Sequence, residues 1–252
     1  MPRLLNQVMS TIQDKDAILE ALLKGEIDLQ GQFLHGSNYT LLGRLRYHDR
    51  DMGIVYKPTR GEQPLWDFPI GSLAKREVAA YCVSEALGWD LVPPTVYRKR
   101  KAPFGPGSLQ LFIEHDPQYH YFRFCEEDMQ RLRPVALFDC LVNNADRKGG
   151  HIISDINRRL WLIDHGICFH HDFKLRTVVW DFAGEQLPDE LLADVRRFVD
   201  ELSAKGALYD CLARLLLPVE ISAMIQRGRS LMEFKLFPGP SGNRRPYPWP
   251  AI

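Results

Sequence analysis

Two short stretches in the second half of the chain decide its fold. The first reads Leu137-Phe-Asp-Cys-Leu-Val-Asn-Asn-Ala-Asp-Arg-Lys-Gly-Gly-His-Ile-Ile153, and the second reads Leu162-Ile-Asp-His-Gly-Ile-Cys-Phe169. The first stretch runs from a helix pattern through a polar loop into a strand, and the second is a strand that ends in Asp-x-Gly. Because a tight hairpin folds the chain back between them, we expect Asp146 and Asp164 to face one cavity.

A pair of aspartates in this arrangement meets the needs of phosphoryl transfer. One carboxylate orients or deprotonates the attacking hydroxyl, and the other holds Mg²⁺ against the nucleotide phosphates. Either aspartate alone is more often an ordinary turn residue. The order and spacing of the two together favour the functional interpretation.

The residues upstream supply a second pair of charged groups. Lys57 ends an apolar strand pattern, and Glu77 lies on a helix predicted over Leu73–Leu87. Ser72 is the predicted N-cap of that helix, and Gly88 is its predicted stop. A strand lysine paired with a helix glutamate holds the α- and β-phosphates in protein kinases. Each residue alone would usually be a solvent-exposed charge, but both stand upstream of the aspartates in kinase order.

A polar turn precedes the lysine strand. It reads His35-Gly-Ser-Asn-Tyr-Thr40 and lies between two strand patterns. Backbone N–H groups at Ser37 and Asn38 could therefore lie over phosphate oxygens. An ordinary hairpin turn explains the same residues equally well.

The hydrophobic periodicity changes along the chain. Strand patterns occupy Tyr39–Leu45, Met52–Tyr56, Thr95–Arg98 and Leu109–Glu114. Helix patterns occupy Met129–Val142, Pro188–Leu202, Leu208–Leu216 and Val219–Phe234, with one hairpin at His151–Ile163. Strands and helices do not alternate as a doubly wound sheet requires. We therefore predict an α+β protein in which a β-rich N-lobe with one helix precedes a mainly helical C-lobe, and the resemblance of its two loops to a kinase family implies a two-lobed, atypical kinase-like fold.

Four regions follow from these patterns. Residues 1–25 form a predicted N-terminal helical extension with a helix at Asp14–Leu23, and residues 26–115 form the N-lobe. Residues 116–235 form the C-lobe, and residues 236–252 form a proline-rich tail. Proline fixes φ and removes a backbone donor, so the tail is expected to be extended.

Composition limits the class of protein. The 252 residues carry 32 Lys+Arg and 32 Asp+Glu, and this zero net charge argues against a protein that coats nucleic acid. No apolar run approaches the ~18 residues of a transmembrane helix, and the first residues lack a secretory apolar region. The five cysteines are widely spaced without a Cys-x-x-Cys pair, which predicts reduced, mostly buried thiols in a cytoplasmic protein.

The two stretches resemble a known family. Asp139, Asn144, Asp146 and Arg147, followed by Ile163–Phe169, look like the catalytic and metal loops of the phosphatidylinositol 3- and 4-kinase superfamily. The similarity is greatest to the bacterial relatives of type II phosphatidylinositol 4-kinases, which carry Asp-x-x-x-x-Asn-x-Asp-Arg and Asp-x-Gly-(hydrophobic) loops. It spans roughly residues 30–180, although only these two loops are specific.

This resemblance implies a two-lobed kinase fold that binds ATP with Mg²⁺ or Mn²⁺ in its cleft. Asp146 would be the catalytic aspartate, in a catalytic loop with Asn144 and Arg147, and Asp164 would be the metal ligand. Lys57 would bind phosphate and Glu77 would pair with it. The implied segment beside adenine holds Gln110, Phe112 and Glu114.

A basic segment follows the metal loop, where such kinases keep their substrate loop. Its four candidate residues are His170, His171, Lys174 and Arg176. These side chains suit an anionic substrate or product phosphate, although a solvent-exposed polar loop fits them equally well. The basic stretch Arg98-Lys-Arg-Lys101 is better explained as a strand-end turn, but it could also assist peripheral contact with an anionic membrane.

One position departs from the family pattern. The family has asparagine five residues after the catalytic aspartate, as a second metal ligand, and this chain has His151 there. Either His151 binds the metal, or the second metal site is altered, or transfer is weak or lost.

Three functions are compatible with these residues. The first is an ATP-dependent phosphotransferase that transfers the γ-phosphoryl group to a hydroxyl of a lipid, a protein or a small molecule. The second is a nucleotide-binding pseudokinase with a scaffold role, which His151 favours. The third is a metal-dependent hydrolase that uses Asp146, His151, Asp164 and either His165 or His170, but a hydrolase has no need of Lys57 and Glu77. We predict the first.

Overall fold

The computed structural model of the chain describes residues 14–32, 39–240 and 245–252. These residues divide into two compact units. The first runs to Val78 and resumes over Pro93–Ile113, and the second comprises Ala79–Val92 and Glu114–Ile252. The first unit is built mainly of strands and the second mainly of helices, which confirms the predicted α+β class. The domain limits predicted at residues 25, 115 and 235 stay predictions.

A five-stranded antiparallel sheet forms the first unit. Its strands are β1 (Glu26–Gln32), β2 (Leu41–Tyr47), β3 (Arg50–Pro58), β4 (Thr95–Arg98) and β5 (Gly107–Leu111), in the order β1-β2-β3-β5-β4. Side chains alternate between the two faces of a strand, so Leu45, Ile54 and Leu109 all enter one core. Helix α1, over residues 14–24, adds Leu22 to this core. The predicted strands are therefore confirmed, with bounds shifted by a few residues.

Arg98 ties α1 to the sheet. Its guanidinium donates hydrogen bonds to the carbonyl oxygens of Leu22 (3.2 Å) and Gly25 (2.7 Å). The side chain is buried, and it satisfies carbonyl groups that the end of a helix leaves open. Arg98 is thus a structural residue at the end of a strand, and it is not available to a membrane surface.

Helix α2 covers Leu73–Leu87, as predicted. Its first N–H groups are satisfied by the Glu62 carboxylate, which accepts hydrogen bonds from Leu73 (3.2 Å) and Ala74 (2.8 Å). The prediction that Ser72 caps the helix is wrong, because the Ser72 hydroxyl accepts a hydrogen bond from the Arg76 side chain instead. The chain leaves the helix at Gly88 with a φ of +74°, a conformation that favours glycine.

Five helices and a small sheet form the described part of the second unit, together with the last turns of α2. The helices are α3 (Glu126–Gln130), α4 (Arg133–Val142), α5 (Asp189–Ser203), α6 (Ala207–Ala213) and α7 (Pro218–Phe234). The sheet is antiparallel, in the order β6 (His115–His120), β7 (Ile152–Asp155) and β8 (Leu160–Leu162). Within the ranges that the structure describes, no helix combines the length and apolar character needed to cross a bilayer.

Two local features of this unit differ from the prediction. The single helix expected over Met129–Val142 is two helices, and the second begins at Arg133 because Pro134 is tolerated only in a first turn. Strand β6 was not predicted, since its sequence is polar and contains Pro117.

The five cysteines are all free, but they are less buried than predicted. Only Cys168 is fully buried, and Cys125 and Cys211 are exposed. The Sγ atoms of Cys82 on α2 and Cys211 on α6 lie 3.6 Å apart. The expectation of mostly buried thiols is therefore wrong, because two of them lie on outward faces of their segments.

Residues 245–252 form neither a helix nor a strand, and they contact other segments of the second unit. The Pro246 carbonyl accepts hydrogen bonds from the Thr177 N–H (3.1 Å) and the Trp180 indole (3.3 Å). The Ala251 carbonyl accepts one from the Gly149 N–H (2.8 Å). The tail thus satisfies one backbone donor in the loop that carries Asp146 and one in the segment that follows Asp164.

Candidate active site

The loop after α4 begins with a left-handed residue, Asn143, whose φ is 53°. Its side-chain amide donates hydrogen bonds to the carbonyl oxygens of His170 (2.8 Å) and Asp172 (2.7 Å). Its side-chain oxygen accepts one from the Lys174 N–H (2.9 Å). Asparagine adopts this conformation more readily than most residues. Asn143 therefore turns the chain and fastens the loop to the segment around residues 170–174.

A buried ion pair lies beneath the loop. Asp139 on α4 and Arg147 in the loop are both fully buried. The Arg147 Nε lies 3.1 Å from each Asp139 oxygen, and its Nη2 lies 3.0 Å from one of them. Asn144 and Thr177 donate further hydrogen bonds to the same carboxylate. Burial is the largest influence on Asp139 and raises its pKa, while the Arg147 charge opposes that shift.

Arg147 also reaches the strand that carries the second aspartate. Its Nη1 donates to the Ile163 carbonyl (2.9 Å), and its Nη2 lies 2.8 Å from the Nε2 of His165. A guanidinium can only donate, so His165 Nε2 is the acceptor in this contact. One arginine side chain therefore links α4, the loop after it and the residues on both sides of Asp164.

Backbone hydrogen bonds join the same two segments. The Ala145 N–H donates to the Ile167 carbonyl (3.2 Å), and the Arg147 N–H donates to the Arg176 carbonyl (2.9 Å). The Arg176 N–H returns a hydrogen bond to the Asn144 carbonyl (2.8 Å). The backbone of the loop is thus held on either side of Asp146.

Asp146 stands at the centre of this loop. Its N–H donates to the Asn144 side-chain oxygen (2.9 Å), and its carboxylate lies 3.6 Å from the Lys148 Nζ. Burial is the main cause that raises the Asp146 pKa to about 6, with a contribution from the Asp164 charge and opposition from Lys148. A carboxylate with such a pKa is ionised at neutral pH and is a stronger base than an ordinary aspartate.

Asp164 and His151 form the second half of the site. Asp164 has a φ of 62°, and its half-exposed carboxylate lies 3.3 Å from the His151 Nε2. The His151 Nδ1 lies 3.1 Å from the Asp146 carbonyl, which can only accept, so the hydrogen of a neutral ring belongs on Nδ1. The Lys148 N–H is more distant from the same nitrogen, at 3.5 Å. Nε2 then presents a lone pair beside the Asp164 oxygen.

Two facing acceptors are stable when a cation or a proton lies between them. Donor atoms bound about 2.0–2.2 Å from one metal ion at ordinary coordination angles lie roughly 3.0–3.5 Å apart. The His151–Asp164 separation of 3.3 Å falls in that range. These two residues can therefore supply two ligand atoms to one divalent cation.

The charged pair predicted upstream is present within the first unit. Lys57 on β3 and Glu77 on α2 form an ion pair, with the Glu77 side chain buried and the Lys57 side chain partly exposed. A buried carboxylate beside a lysine holds the ammonium group charged and in one orientation.

The structure separates the roles of the three residues predicted beside adenine. The Gln110 side chain is buried and donates to the Thr95 hydroxyl (2.8 Å), so it belongs to the sheet. Phe112 donates its N–H to the Gly53 carbonyl (2.9 Å). Glu114 begins the second segment of the second unit, Glu114–Ile252, and is exposed. Ser37 and Asn38 lie outside the described residues.

The four residues predicted as a substrate loop are not equivalent. His170 is buried, its Nδ1 accepts the Asp172 N–H (3.0 Å), and its ring stacks on His171 at 4.5 Å. His171 and Arg176 are exposed, and Lys174 is partly exposed. Burial removes His170 from the set of side chains that could meet a substrate anion. Together with His171 and Asp172, it could instead bring ligand atoms to a cation.

Asn144 and Arg147, predicted in the catalytic loop, are both fully buried. Asn144 accepts a hydrogen bond from the Asp146 N–H, and Arg147 holds the loop through its ion pair with Asp139. Both are therefore positioning residues. The sequence patterns predicted no role for Thr177 or for the buried ion pair of Asp139. The available signal was an aspartate within the otherwise apolar face of a helix, Val135–Val142.

The fold defined by these two units is kinase-like. It is similar to the crystal structure of the Golgi casein kinase with Mn/ADP bound, with a TM-score of 0.58, 17% identity, and coverage of 95% of this chain and 81% of that chain. It is also similar to the structure of hydra Fam20 with sugar, with a TM-score of 0.51, 15% identity and 86% coverage of both chains. At these identities the likeness concerns the fold alone.

The sequence comparisons give the family. The chain is 38% identical to "Protein Rv2133c" of Mycobacterium tuberculosis over 97% of this chain and 98% of that protein. It therefore belongs to the same family as that mycobacterial protein. No protein-family model matches the chain.

A more distant similarity connects part of the chain to plant lipid kinases. Phosphatidylinositol 4-kinase gamma 4 of Oryza sativa is 31% identical over 44% of this chain and 23% of its own length. The protein of the same name in Arabidopsis thaliana is 29% identical over 54% of this chain and 28% of its own length. The similarity thus covers about half of this chain and about a quarter of each plant kinase.

We expect Asp139→Asn to destabilise the protein strongly. The substitution leaves the Arg147 guanidinium buried without its counter-charge, which typically costs about 3–5 kcal/mol. Urea denaturation at pH 7, followed by circular dichroism, measures the change. A loss below about 1 kcal/mol would contradict the importance of the pair.

Asp146→Asn is the matched control, because we expect it to leave the stability at pH 7 unchanged or to raise it. The folded-state pKa of about 6 lies above the ordinary aspartate pKa of 3.8, so the folded protein binds more protons between these values. The Asp146 contribution to stability therefore falls as pH rises from about 4 to 6. We expect Asp146→Asn to be at least as stable as the wild type at pH 7, with any advantage vanishing at about pH 4.

Proposed function

We propose that this protein is an ATP-dependent phosphotransferase that transfers the γ-phosphoryl group to a hydroxyl group. The observation that carries the proposal is the pair of aspartates on loops joined by Arg147: Asp146 partly buried with a raised pKa, and Asp164 half-exposed beside His151. Phosphoryl transfer needs a carboxylate to orient the nucleophile and another to hold a cation. The kinase-like fold and the Lys57–Glu77 pair support the same assignment.

The Asp146 carboxylate would bind the acceptor hydroxyl. This carboxylate accepts the hydrogen bond of the hydroxyl, orients the oxygen toward the γ-phosphorus, and takes the proton as the new bond to phosphorus forms, while the bond from that phosphorus to the β,γ-bridging oxygen breaks and ADP leaves. A pKa of about 6 leaves the group ionised at neutral pH and raises its basicity. Asn144 and the buried ion pair hold the loop in place during this step.

Asp164 and His151 would hold a divalent cation, whose charge offsets that of the phosphate oxygens. The donor set is one carboxylate oxygen and one imidazole nitrogen. Mg²⁺ strongly prefers oxygen ligands, whereas Mn²⁺ accepts imidazole more readily. The site therefore suits Mn²⁺ at least as well as Mg²⁺.

Lys57 would bind the phosphates of ATP, and Glu77 would orient it. Protein kinases use a strand lysine and a helix glutamate in this way. Both residues are present here as a contacting pair on β3 and α2.

The acceptor hydroxyl could belong to a lipid, a protein or a small molecule. The partial similarity to plant phosphatidylinositol 4-kinases favours a phosphatidylinositol lipid as the first candidate acceptor. The zero net charge weighs against nucleic acid as a partner. A test with γ-labelled ATP and Mn²⁺ or Mg²⁺ should therefore include phosphatidylinositol vesicles, a peptide mixture and small polyols. Label transferred to none of them, nor to the protein itself, would contradict the proposal.

A nucleotide-binding pseudokinase is the second candidate, and the His151–Asp164 contact favours it. A protonated imidazole 3.3 Å from the carboxylate would itself occupy the position of a cation. In that case ATP would bind without a divalent metal, and no label would be transferred. Measuring ATP binding with and without EDTA separates the two candidates.

Asp146→Asn should abolish transfer and spare nucleotide binding. Loss of a general base typically costs ~10²–10⁴-fold in rate, and Asp146 makes its proposed contact with the acceptor. Single-turnover transfer and ATP titration measure the two effects. Asp200→Asn, on the exposed face of α5, is the control and should match the wild type. Transfer by Asp146→Asn within about threefold of the wild type would exclude the assigned role.

Lys57→Met should weaken ATP binding, and Glu77→Gln should do so less. The first removes the phosphate contact, whereas the second removes only the group that orients it. Isothermal titration with ATP gives both affinities. Lys75→Met, two residues before Glu77 on the same helix, is the control for loss of a positive charge. Equal affinities in all of these variants would refute this part of the site.

His151→Asn should shift the metal preference from Mn²⁺ toward Mg²⁺, because it exchanges a nitrogen ligand for an oxygen ligand. Wild-type Mn²⁺ binding should also weaken on acidification, since imidazole binds metal only when neutral. Electron paramagnetic resonance of free Mn²⁺ measures the binding directly. If the variant and the wild type show the same metal preference and the same dependence of Mn²⁺ binding on pH, His151 is a structural residue.

A further inference from the structure

A cavity of about 490 Å³ opens in the second unit, apart from the residues that we place in the active site. Its walls come from α4, α7 and two loop segments, and most of the lining is apolar. Lining residues include Cys140, Leu175, Leu231 and Phe237. Pockets that bind small ligands have volumes of about 300–1,000 Å³ and a mostly apolar lining. The cavity therefore has the size and character of a ligand site.

Among the described residues of this lining, Arg227 is the only one with a charged side chain. Its Nε donates to the Leu141 carbonyl (2.8 Å), but its buried Nη2 has no hydrogen-bond partner within the ranges that the structure describes. Burial lowers the Arg227 pKa to about 10, so the group stays protonated at neutral pH. Arg227 thus brings a charge that is largely withdrawn from water into an otherwise apolar lining, and such a charge is costly unless an anion compensates it. The most direct remedy is an anionic group bound in the cavity.

The apolar lining continues to the protein surface. Phe173, Phe234 and Leu236 all line the cavity, yet all three are exposed, Phe234 by 70%. Large apolar side chains grouped on a surface are typical of binding sites. The ligand is therefore expected to carry an apolar portion that covers these side chains.

We propose that this cavity binds an amphiphile with one apolar chain and an anionic head group, such as a long-chain carboxylate. The head group pairs with the Arg227 guanidinium in the cavity lining, and the chain lies along Leu231 and Phe237 toward the exposed rings. A charge-assisted hydrogen bond supplies the specificity for an anion. Burial of each methylene group supplies the affinity, at about fourfold for each one.

Two sources could supply this chemistry: a free fatty carboxylate, or an anionic lipid held in a membrane. Titration with octanoate, decanoate and dodecanoate below their micellar concentrations tests the first. Co-sedimentation with phosphatidylcholine vesicles, with and without phosphatidic acid, tests the second. Affinity that rises by about threefold or more for each added methylene group identifies a free carboxylate. Binding only to vesicles that contain phosphatidic acid identifies the membrane lipid.

Variants on α7 test the two halves of the proposal. Arg227→Met keeps the bulk of the side chain and should weaken dodecanoate binding at least tenfold, to the level at which the wild type binds dodecanol. Arg229→Met removes an exposed arginine two residues further on and should bind like the wild type. Ser230→Trp fills the cavity while keeping Arg227, and should abolish binding of both ligands.

Three results would overturn the proposal: no binding of carboxylates or acidic vesicles by the wild type, equal affinity for dodecanoate and dodecanol, or identical effects of Arg227→Met and Arg229→Met. Thermal unfolding without ligand shows whether Arg227→Met is folded, and Ser230→Trp keeps the test informative if it is not. The experiments need neither nucleotide nor phosphate acceptor. Their outcome is therefore independent of the proposed phosphoryl transfer.

Discussion

The buried ion pair between Asp139 and Arg147 is the interaction on which the candidate active site depends. Both charges are removed from water, and such a pair is tolerated only when its remaining donors and acceptors are satisfied. Here the remaining donors of Arg147 reach the Ile163 carbonyl and the His165 ring. The directional bonds of one guanidinium therefore fix α4, the loop after it and the following strand in one arrangement. An apolar contact of the same size would not specify that arrangement.

That arrangement places two carboxylates in different surroundings. Asp146 is partly buried, and its pKa is raised to about 6, whereas Asp164 is half-exposed and lies beside His151. Carboxylates whose surroundings differ in this way can take different roles in one reaction. The more basic carboxylate suits a hydroxyl proton, and the exposed one suits a cation. The difference comes from burial and neighbouring charge, because the two side chains are chemically identical.

The comparison by sequence and the comparison by structure establish different properties of this protein. Similarity to the Mycobacterium tuberculosis protein spans nearly the whole of both chains and defines the family. Similarity to the Golgi casein kinase defines the fold. Neither assigns a phosphate acceptor, so the proposed activity rests on the geometry around Asp146 and Asp164. The Arg227 cavity is a separate feature, because its lining shares no residue with that geometry.

The sequence by itself determined the features that depend on neighbours along the chain. These include the limits of α2, its stop at Gly88, the order of strands and helices, and the two loops that carry Asp146 and Asp164. Periodicity and turn residues act over a few positions, so one sequence suffices to find them. Tertiary contacts alone show that Glu62 caps α2, that His170 is buried, and that one Arg227 donor has no partner among the described residues. Each of these facts depends on contacts between segments far apart in the sequence, which local patterns do not encode.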